Sequence, residues 1–334
     1  MKKTILTLFS LILFSFVFAQ QKVALHHQGN TTIYGGSNPF VTAYDSAVSG
    51  DTLYVPGGVF APPSSFTKRL VIYGTGHYPD TTSATGKSVI SGNLRFQNGS
   101  DSSFVEGLEV TGDIYTDNNH KVDYLTVSRC KLNSFMMNGN MTTPSNYATV
   151  RQSVLNGSVI FSNGTFNLVT NNIILGYVSA GNNNAMYNNI FLWTSNYYHN
   201  QFASLSNCHI ANNIIKHTGY ITNGNLNTFS NNAFPSGNPG GTNSYINNYF
   251  NQPFDSLFVE TIPASFDYDT DYFLDSASNY LGTDSTEIGI YGGLYPWKKS
   301  SVPSIPHIIY KKIPVATEPN GTLDIEIKVN AEDY

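Results

Sequence analysis

The sequence predicts an all-β fold, a right-handed parallel β-helix of roughly ten coils, on three observations. First, a pair of asparagines followed by apolar residues recurs as NNII from Asn171, NNIF from Asn188, NNII from Asn212, NNAF from Asn231 and NNYF from Asn247, at spacings of 17, 24, 19 and 16 residues. Second, the register extends backwards through QSVL from Gln152, RCKL from Arg129 and EGLE from Glu106, at intervals of 19, 23 and 23 residues. Third, short β-branched and aromatic runs such as 147–150, 158–161 and 167–170 fill each unit between Gly and Asn turn signals. Strands this short bury their apolar side chains only when one coil stacks on the next, about 4.8 Å away.

Asparagine occupies 38 of 334 positions, 24 of them between Arg151 and Phe250, so its role must repeat with the coil. The bend between strands needs a left-handed or bridge conformation, which Asn tolerates better than most residues. Stacked bends align identical amides, each hydrogen bond contributing roughly 1 kcal/mol net. A ladder from about Asn171 to Asn248 is expected to set the register, as a structural device and not a ligand site. The Asn-Gly-Ser/Thr sequences at Asn98, Asn156 and Asn163 read first as turns.

Lys2 and Lys3 precede an apolar run from Ile5 to Phe18 that ends at Ala19, the pattern of a signal peptide over 1–19, too short for a membrane span. Residues 20–50 form an N-terminal segment and cap helix. Asn38 is its N-cap and Pro39 its first position, and Val41, Tyr44 and Val48 share the face that covers the first coil. The β-helix spans 51–297, its first strand being Thr52 to Val55; Ile288 to Tyr291 with Gly292-Gly293 is expected to close the last coil. A Pro-rich tail follows over 298–334. Leu323, Ile325, Ile327 and Val329 alternate there, and with Asn320-Gly321 as the turn they form a hairpin with 307–315, as a C-terminal cap or tail. The two cysteines, Cys130 and Cys208, fall about four coils apart, on the order of 15 to 20 Å, so both are expected free and buried.

The entry AVSGDTLYVPGGVF (47–60), the second-coil LVIYGTGHYPD (70–80), the NN repeats and the closing TEIGIYGGLYPW (286–297) resemble the exported bacterial β-helix proteins of the pectin-lyase-like superfamily, over nearly the whole chain after the leader. The likeness is to uncharacterised, non-enzymatic members. It implies architecture and export and carries no activity.

Charged residues make up only 12% of the chain, and without Lys2 and Lys3 there are 15 basic against 22 acidic residues, with no basic cluster. That balance argues against nucleic acid or an anionic membrane as partner and favours a neutral one; the partner expected is a polysaccharide, neutral for a binding module or uronate for a lyase. An inverting hydrolase on this scaffold needs paired carboxylates, yet there is no Asp-Asp pair and not one Asp or Glu between Arg151 and Gln252. A lyase needs an Arg or Lys base beside carboxylate-held Ca²⁺. Its candidates are Arg129, Lys131 and Arg151 with Glu106, Glu109, Asp113 and Asp123, although the register sets Glu106 over Arg129 as a cross-coil ion pair. Asp267, Asp269 and Asp271 lack the Gly and Glu of a calcium loop, the eight histidines are scattered, and two distant cysteines make no zinc site. No metal or cofactor is expected.

An aromatic cluster lies within the longest interval. Phe191 and Trp193 read either as interior stacking or, with Tyr197, Tyr198 and His199, as a projecting platform; Trp193, Tyr197, Tyr198 and His199 are the candidate carbohydrate-binding residues. The reading that follows is a secreted, non-catalytic polysaccharide-binding or surface-interaction module. A polysaccharide lyase and a purely structural or adhesive solenoid are the alternatives.

Overall fold

The computed structural model describes residues 21–179, 181–194 and 200–331, so the signal peptide expected over 1–19 lies outside the described residues. The chain forms the expected parallel β-solenoid, three-sided in cross-section. Each coil contributes one strand to a first sheet, one to a second and one to a third. The first-sheet strands run in register from Thr52–Tyr54 through Val71–Tyr73, Phe104–Glu106, Thr126–Ser128, Thr149–Arg151, Leu168–Thr170, Ala185–Tyr187, His209–Ala211 and Thr228–Ser230 to Ser244–Ile246. The second sheet has eight strands and the third six, completed at its ends by single bridges at Phe66 and Thr222. About eight turns are therefore closed on all three sides, somewhat fewer than ten, because the last two first-sheet strands belong to partial turns.

The core follows from strand alternation. The central residue of each first-sheet strand points inward, giving a column of Leu53, Ile72, Val105, Val127, Val150, Val169, Met186, Ile210 and Phe229, all buried. Phe66, Phe96, Phe135, Phe161, Phe191 and Phe202 fill the remaining interior as a single core. A parallel sheet with one coil per layer exposes no side edge, only its two ends. One end is closed by an antiparallel hairpin, Lys22–His27 with Asn30–Gly35, pairing onto Thr52–Tyr54, and by the helix α1, Pro39–Ser46. The hairpin is an addition to the expected cap. The helix sits where expected but is rotated: Phe40, Ala43, Tyr44 and Ala47 face the core, whereas Val48 lies beyond the helix and is exposed. Asn38 gives no side-chain cap. Its carbonyl accepts from Thr42 N, and Lys68 Nζ closes the other end of α1 on the carbonyls of Tyr44, Asp45 and Ala47 at 3.0, 3.2 and 2.8 Å.

Two of the three corners share one device: a residue in the left-handed region whose side chain points outward, followed by a residue whose side chain points inward. At the first-to-second corner the outward row is Arg129, Gln152, Asn171, Asn188, Asn212, Asn231 and Asn247, all with φ between 48° and 61°. The inward row is the expected ladder. Asn172, Asn189, Asn213 and Asn232 each donate Nδ2 to the Oδ1 of the next coil's amide, ending on Asn248, at 2.9 to 3.0 Å. The same acceptor oxygens also receive backbone N–H groups at 2.9 to 3.0 Å. The paired asparagines thus divide the labour, the first making the bend and the second the ladder. Ser153 and Cys130 continue the inward row towards the N-terminus.

A second inward row at the third-to-first corner contains Asn167, Asn184, Cys208, Asn227 and Asn243. Both cysteines are therefore free and buried, at different corners and different heights of the stack. Burial raises the Cys130 thiol to about 12.

The closing segment behaves differently from the expectation. Ile288–Tyr291 does not close a last coil; after Tyr249 the chain leaves the solenoid and wraps back over it. The reason is visible in the second sheet, whose outward positions Val154, Ile173, Ile190, Ile214 and Ala233 are apolar and require a cover. Phe254, Leu257, Phe258, Tyr272, Ile288, Ile290 and Trp297 supply it, forming a second core outside the coils. From 281 to 304 the chain runs as a strap towards the N-terminal end, gripped by the outward row in reverse order. Asn231 Nδ2 donates to Leu281 O at 2.8 Å, Asn188 to Gly289 O at 3.2 Å, Asn171 to Ile290 O and Gly292 O at 2.9 and 2.7 Å, and Gln152 Nε2 to Pro296 O at 2.6 Å. Arg129 Nη1 ends the series on Val302 O at 2.9 Å. The tail then forms the expected hairpin, His307–Lys312 with Glu326–Asn330, whose side chains are mostly exposed.

Candidate functional site

The charged residues that could serve a lyase are spread over different faces. Glu106 and Arg129 form the cross-coil pair, 3.7 Å apart and buried beneath the strap, where Glu106 Oε2 also accepts from Ser304 N and Oγ. Lys131 lies on the outer face of the second sheet, shared between Glu109 at 3.6 Å and the Tyr268 hydroxyl at 3.1 Å. Arg151 lies on the first sheet with its guanidinium 4.4 Å from the Tyr295 ring centre. Asp113 accepts from Asn133 and Ser134, and Asp123 pairs with Lys121 at 2.9 Å. These side chains do not converge on one groove. Asp271, from the acidic run, pairs with Lys299 at 2.5 Å, and Asp267 caps the N–H of Asp269.

Of the aromatic candidates, Phe191 is wholly interior. Trp193 is half-buried at the second-to-third corner, stacked on the buried His217 at 4.8 Å and tilted against Tyr177 at 5.7 Å. Tyr197, Tyr198 and His199 lie outside the described residues.

Among the described residues, the third-to-first corner carries the largest exposed array of rings. Its outward left-handed positions are Ser102, Tyr124, Tyr147, Phe166, Asn183, Asn207 and Leu226. Tyr124, Tyr147 and Phe166 come from successive coils, with φ of 60°, 58° and 60°. Their rings stack at 4.8 and 5.5 Å with interplanar angles of 8° and 11°, yet they remain 53, 42 and 56% exposed. A left-handed conformation costs an aromatic residue on the order of 1 kcal/mol or more, where Asn costs less. Each stacked pair returns roughly 0.5 to 1.5 kcal/mol. Two stacked pairs offset only part of the strain of three residues, and a column of rings stands open to solvent.

Beside this column the same connections form a polar hollow of about 460 Å³ lined by Arg95, Tyr115, Asp117, Asn118, Asn119 and His120. Arg95 Nε and Nη2 hold both oxygens of Asp117 at 2.6 to 2.8 Å, and Gln97 Nε2 adds a third donor at 2.6 Å. Partial burial pushes the Asp117 carboxyl upward, but the hydrogen bonds from Arg95 and Gln97 outweigh it and hold the group below the usual carboxylate range. The hollow therefore offers a fixed ion pair and neutral amides, chemistry that orients hydroxyl groups. The signal for this surface is present in the sequence: Tyr124, Tyr147 and Phe166 each stand three residues before an inward Val127, Val150 or Val169, so aligning the coils on those valines lines the rings up. Tyr124, Tyr147 and Phe166 stand outside the Asn-Asn motifs.

No protein-family model matches this chain, and neither a curated protein nor a solved structure does.

Proposed function

We propose that the chain is an exported, non-catalytic β-solenoid that binds a polysaccharide along its third-to-first corner. The observation that carries this reading is the exposed stack of Tyr124, Tyr147 and Phe166, one ring per coil, beside the Arg95–Asp117 hollow. A polymer of sugar rings also repeats along its length, and apolar ring edges next to fixed polar groups suit its alternating C–H and hydroxyl surface. The leader-like 1–19 supports export, and the coil architecture with its entry and NN motifs supports a place among the pectin-lyase-like β-helices. Trp193, with Tyr177 beside it and Tyr197, Tyr198 and His199 following in sequence, is a second aromatic contact candidate at another corner.

The test is a glycan array that includes neutral polysaccharides and polyuronates, run on the native chain, Tyr124→Ala, Tyr147→Ala and Trp193→Ala, with a parallel assay for unsaturated-uronate absorbance. Binding that falls at least ten-fold in the two tyrosine variants, without absorbance change, is the expected result. Loss confined to Trp193→Ala moves the site to the other corner. Uronate absorbance replaces the binding module with a lyase, and no binding to any glycan leaves a structural solenoid.

A further inference from the structure

We infer that the cleft between the outer face of the first sheet and the strap is a second saccharide site, which holds one or two sugar units in place of a running chain. This rests on the glycan-binding reading above and adds a location and a ligand size to it. The cleft encloses about 510 Å³, far from the open corner surface in character, because the strap walls it on one side. Its floor is Tyr187 with Thr228 and Ser230, beside Thr170, whose buried hydroxyl donates to Asn171 Oδ1, and its wall holds Asp284 and Tyr295.

The wall is constructed, and three observations show how. Asn212 fixes one end, accepting from Thr283 N at 2.9 Å and donating to Thr283 Oγ1 at 3.3 Å. Gly292 and Gly293 then turn the strap outward over Asn188: a Cβ on Gly292 would strike Glu287 O, and Gly293 has φ of +76° with the Asn188 amide where its side chain would be. Beyond the turn, Arg151 packs on the Tyr295 ring and Gln152 holds Pro296, so Tyr295 is set as a fixed face opposite the sheet. Leu294 is left at the rim, 89% exposed.

The chemistry of the lining selects the ligand. Asp284 is the single carboxylate lining the cleft, and its Oδ1 accepts from Thr286 N and Oγ1. Burial raises the Tyr187 phenol, so it remains a neutral donor. An aromatic pair, an exposed leucine, several hydroxyls and one anchored carboxylate match a neutral pyranose, which offers apolar C–H faces and hydroxyl donors together. An anionic ligand is disfavoured by Asp284, and a purely apolar one would strand the hydroxyls.

Saturation-transfer NMR on the full chain, with methyl glycosides of the common hexoses and their β-linked disaccharides as probes, tests this. Two variants keep the packing, Tyr187→Phe and Asp284→Asn, and Tyr147→Ala serves as the corner control. The expected result is transfer to at least one neutral glycoside, weakened five-fold or more by each cleft variant and unchanged in Tyr147→Ala. Equal transfer in the native chain and both cleft variants, or transfer to no glycoside at millimolar concentration, overturns the cleft while array binding at the corner stands. Loss of array binding in Tyr147→Ala with the cleft unaffected confirms that the two sites are separate.

Discussion

The two Asn-bearing corners of the solenoid are built alike and used differently. Each places a left-handed residue outward and a ladder residue inward in coil after coil. At the first-to-second corner the outward residues are Arg, Gln and Asn, and five of the seven donate to carbonyls of the strap. At the third-to-first corner the outward residues include Tyr124, Tyr147 and Phe166, and nothing among the described residues covers them. One backbone solution thus yields a clamp at one corner and a display at the other. The choice lies in whether the outward side chain can satisfy a passing carbonyl.

The comparison is broken most severely inside the clamped corner. Asn189 donates to Val169 O, Tyr187 O and Asn213 Oδ1 and accepts from Asn172, all buried except the part-buried bond to Tyr187. Asn189→Leu strands several of these groups and should cost about 3 kcal/mol or more in a urea unfolding experiment; a loss under about 1 kcal/mol would mean the ladder does not set the register. Asn171→Ala removes the outward grip on Ile290 O and Gly292 O together with the bond accepted from Thr170 Oγ1, and leaves Ala at a left-handed φ of 55°. It should cost about 1 to 2 kcal/mol and expose 281–304 to limited proteolysis before the coils unfold.

His77, beneath the end of the strap, sharpens how well that corner is sealed. It is fully buried, its N–H bonds to Ser301 Oγ, and neither ring nitrogen has a hydrogen-bond partner. Burial, then the nearby positive charges of Lys131 and Lys87, hold its imidazole well below the usual histidine range. The unfolded chain takes up this proton near pH 6.5 and the folded chain does not, so His77 costs stability as pH falls below about 6.5, by up to about 1.4 kcal/mol per pH unit until the folded group titrates. His77→Phe should therefore add about 1 kcal/mol near pH 7 and flatten the acid limb of a stability-against-pH curve. An unchanged acid limb would place the proton elsewhere. The smallest effect is expected at the open corner. Tyr147→Asn relieves left-handed strain while it loses stacking, so stability should move by less than about 0.5 kcal/mol while glycan binding falls; a large destabilisation would make the rings a structural ladder.

The coil register was legible because Asn171, Asn188, Asn212, Asn231 and Asn247 repeat a local backbone requirement that only a few residues meet. The strap was not, because its partners are backbone carbonyls, which leave no residue signature in 281–304. Its cover could have been anticipated: both isoleucines of NNII are buried, and a strand with two apolar faces needs packing on both. Asn38-Pro39 marks the start of the cap helix in the sequence, but its buried face is led by Phe40 and Ala43 beside Tyr44, and not by Val41 and Val48, because Val48 lies beyond the helix end. Of the expected binding residues, Trp193 is half-buried against His217, and the exposed rings stand on a different corner, marked in the sequence by spacing and not by motif.

The two cysteines make the contrast between corners measurable without a label being engineered. Cys130 occupies the ladder of the clamped corner and Cys208 that of the open one, and each thiol must be uncovered before it can react. Their alkylation rates in the native chain are two clocks on the breathing of two corners. Where a strap crosses one and solvent bathes the other, the clock at Cys208 should run faster.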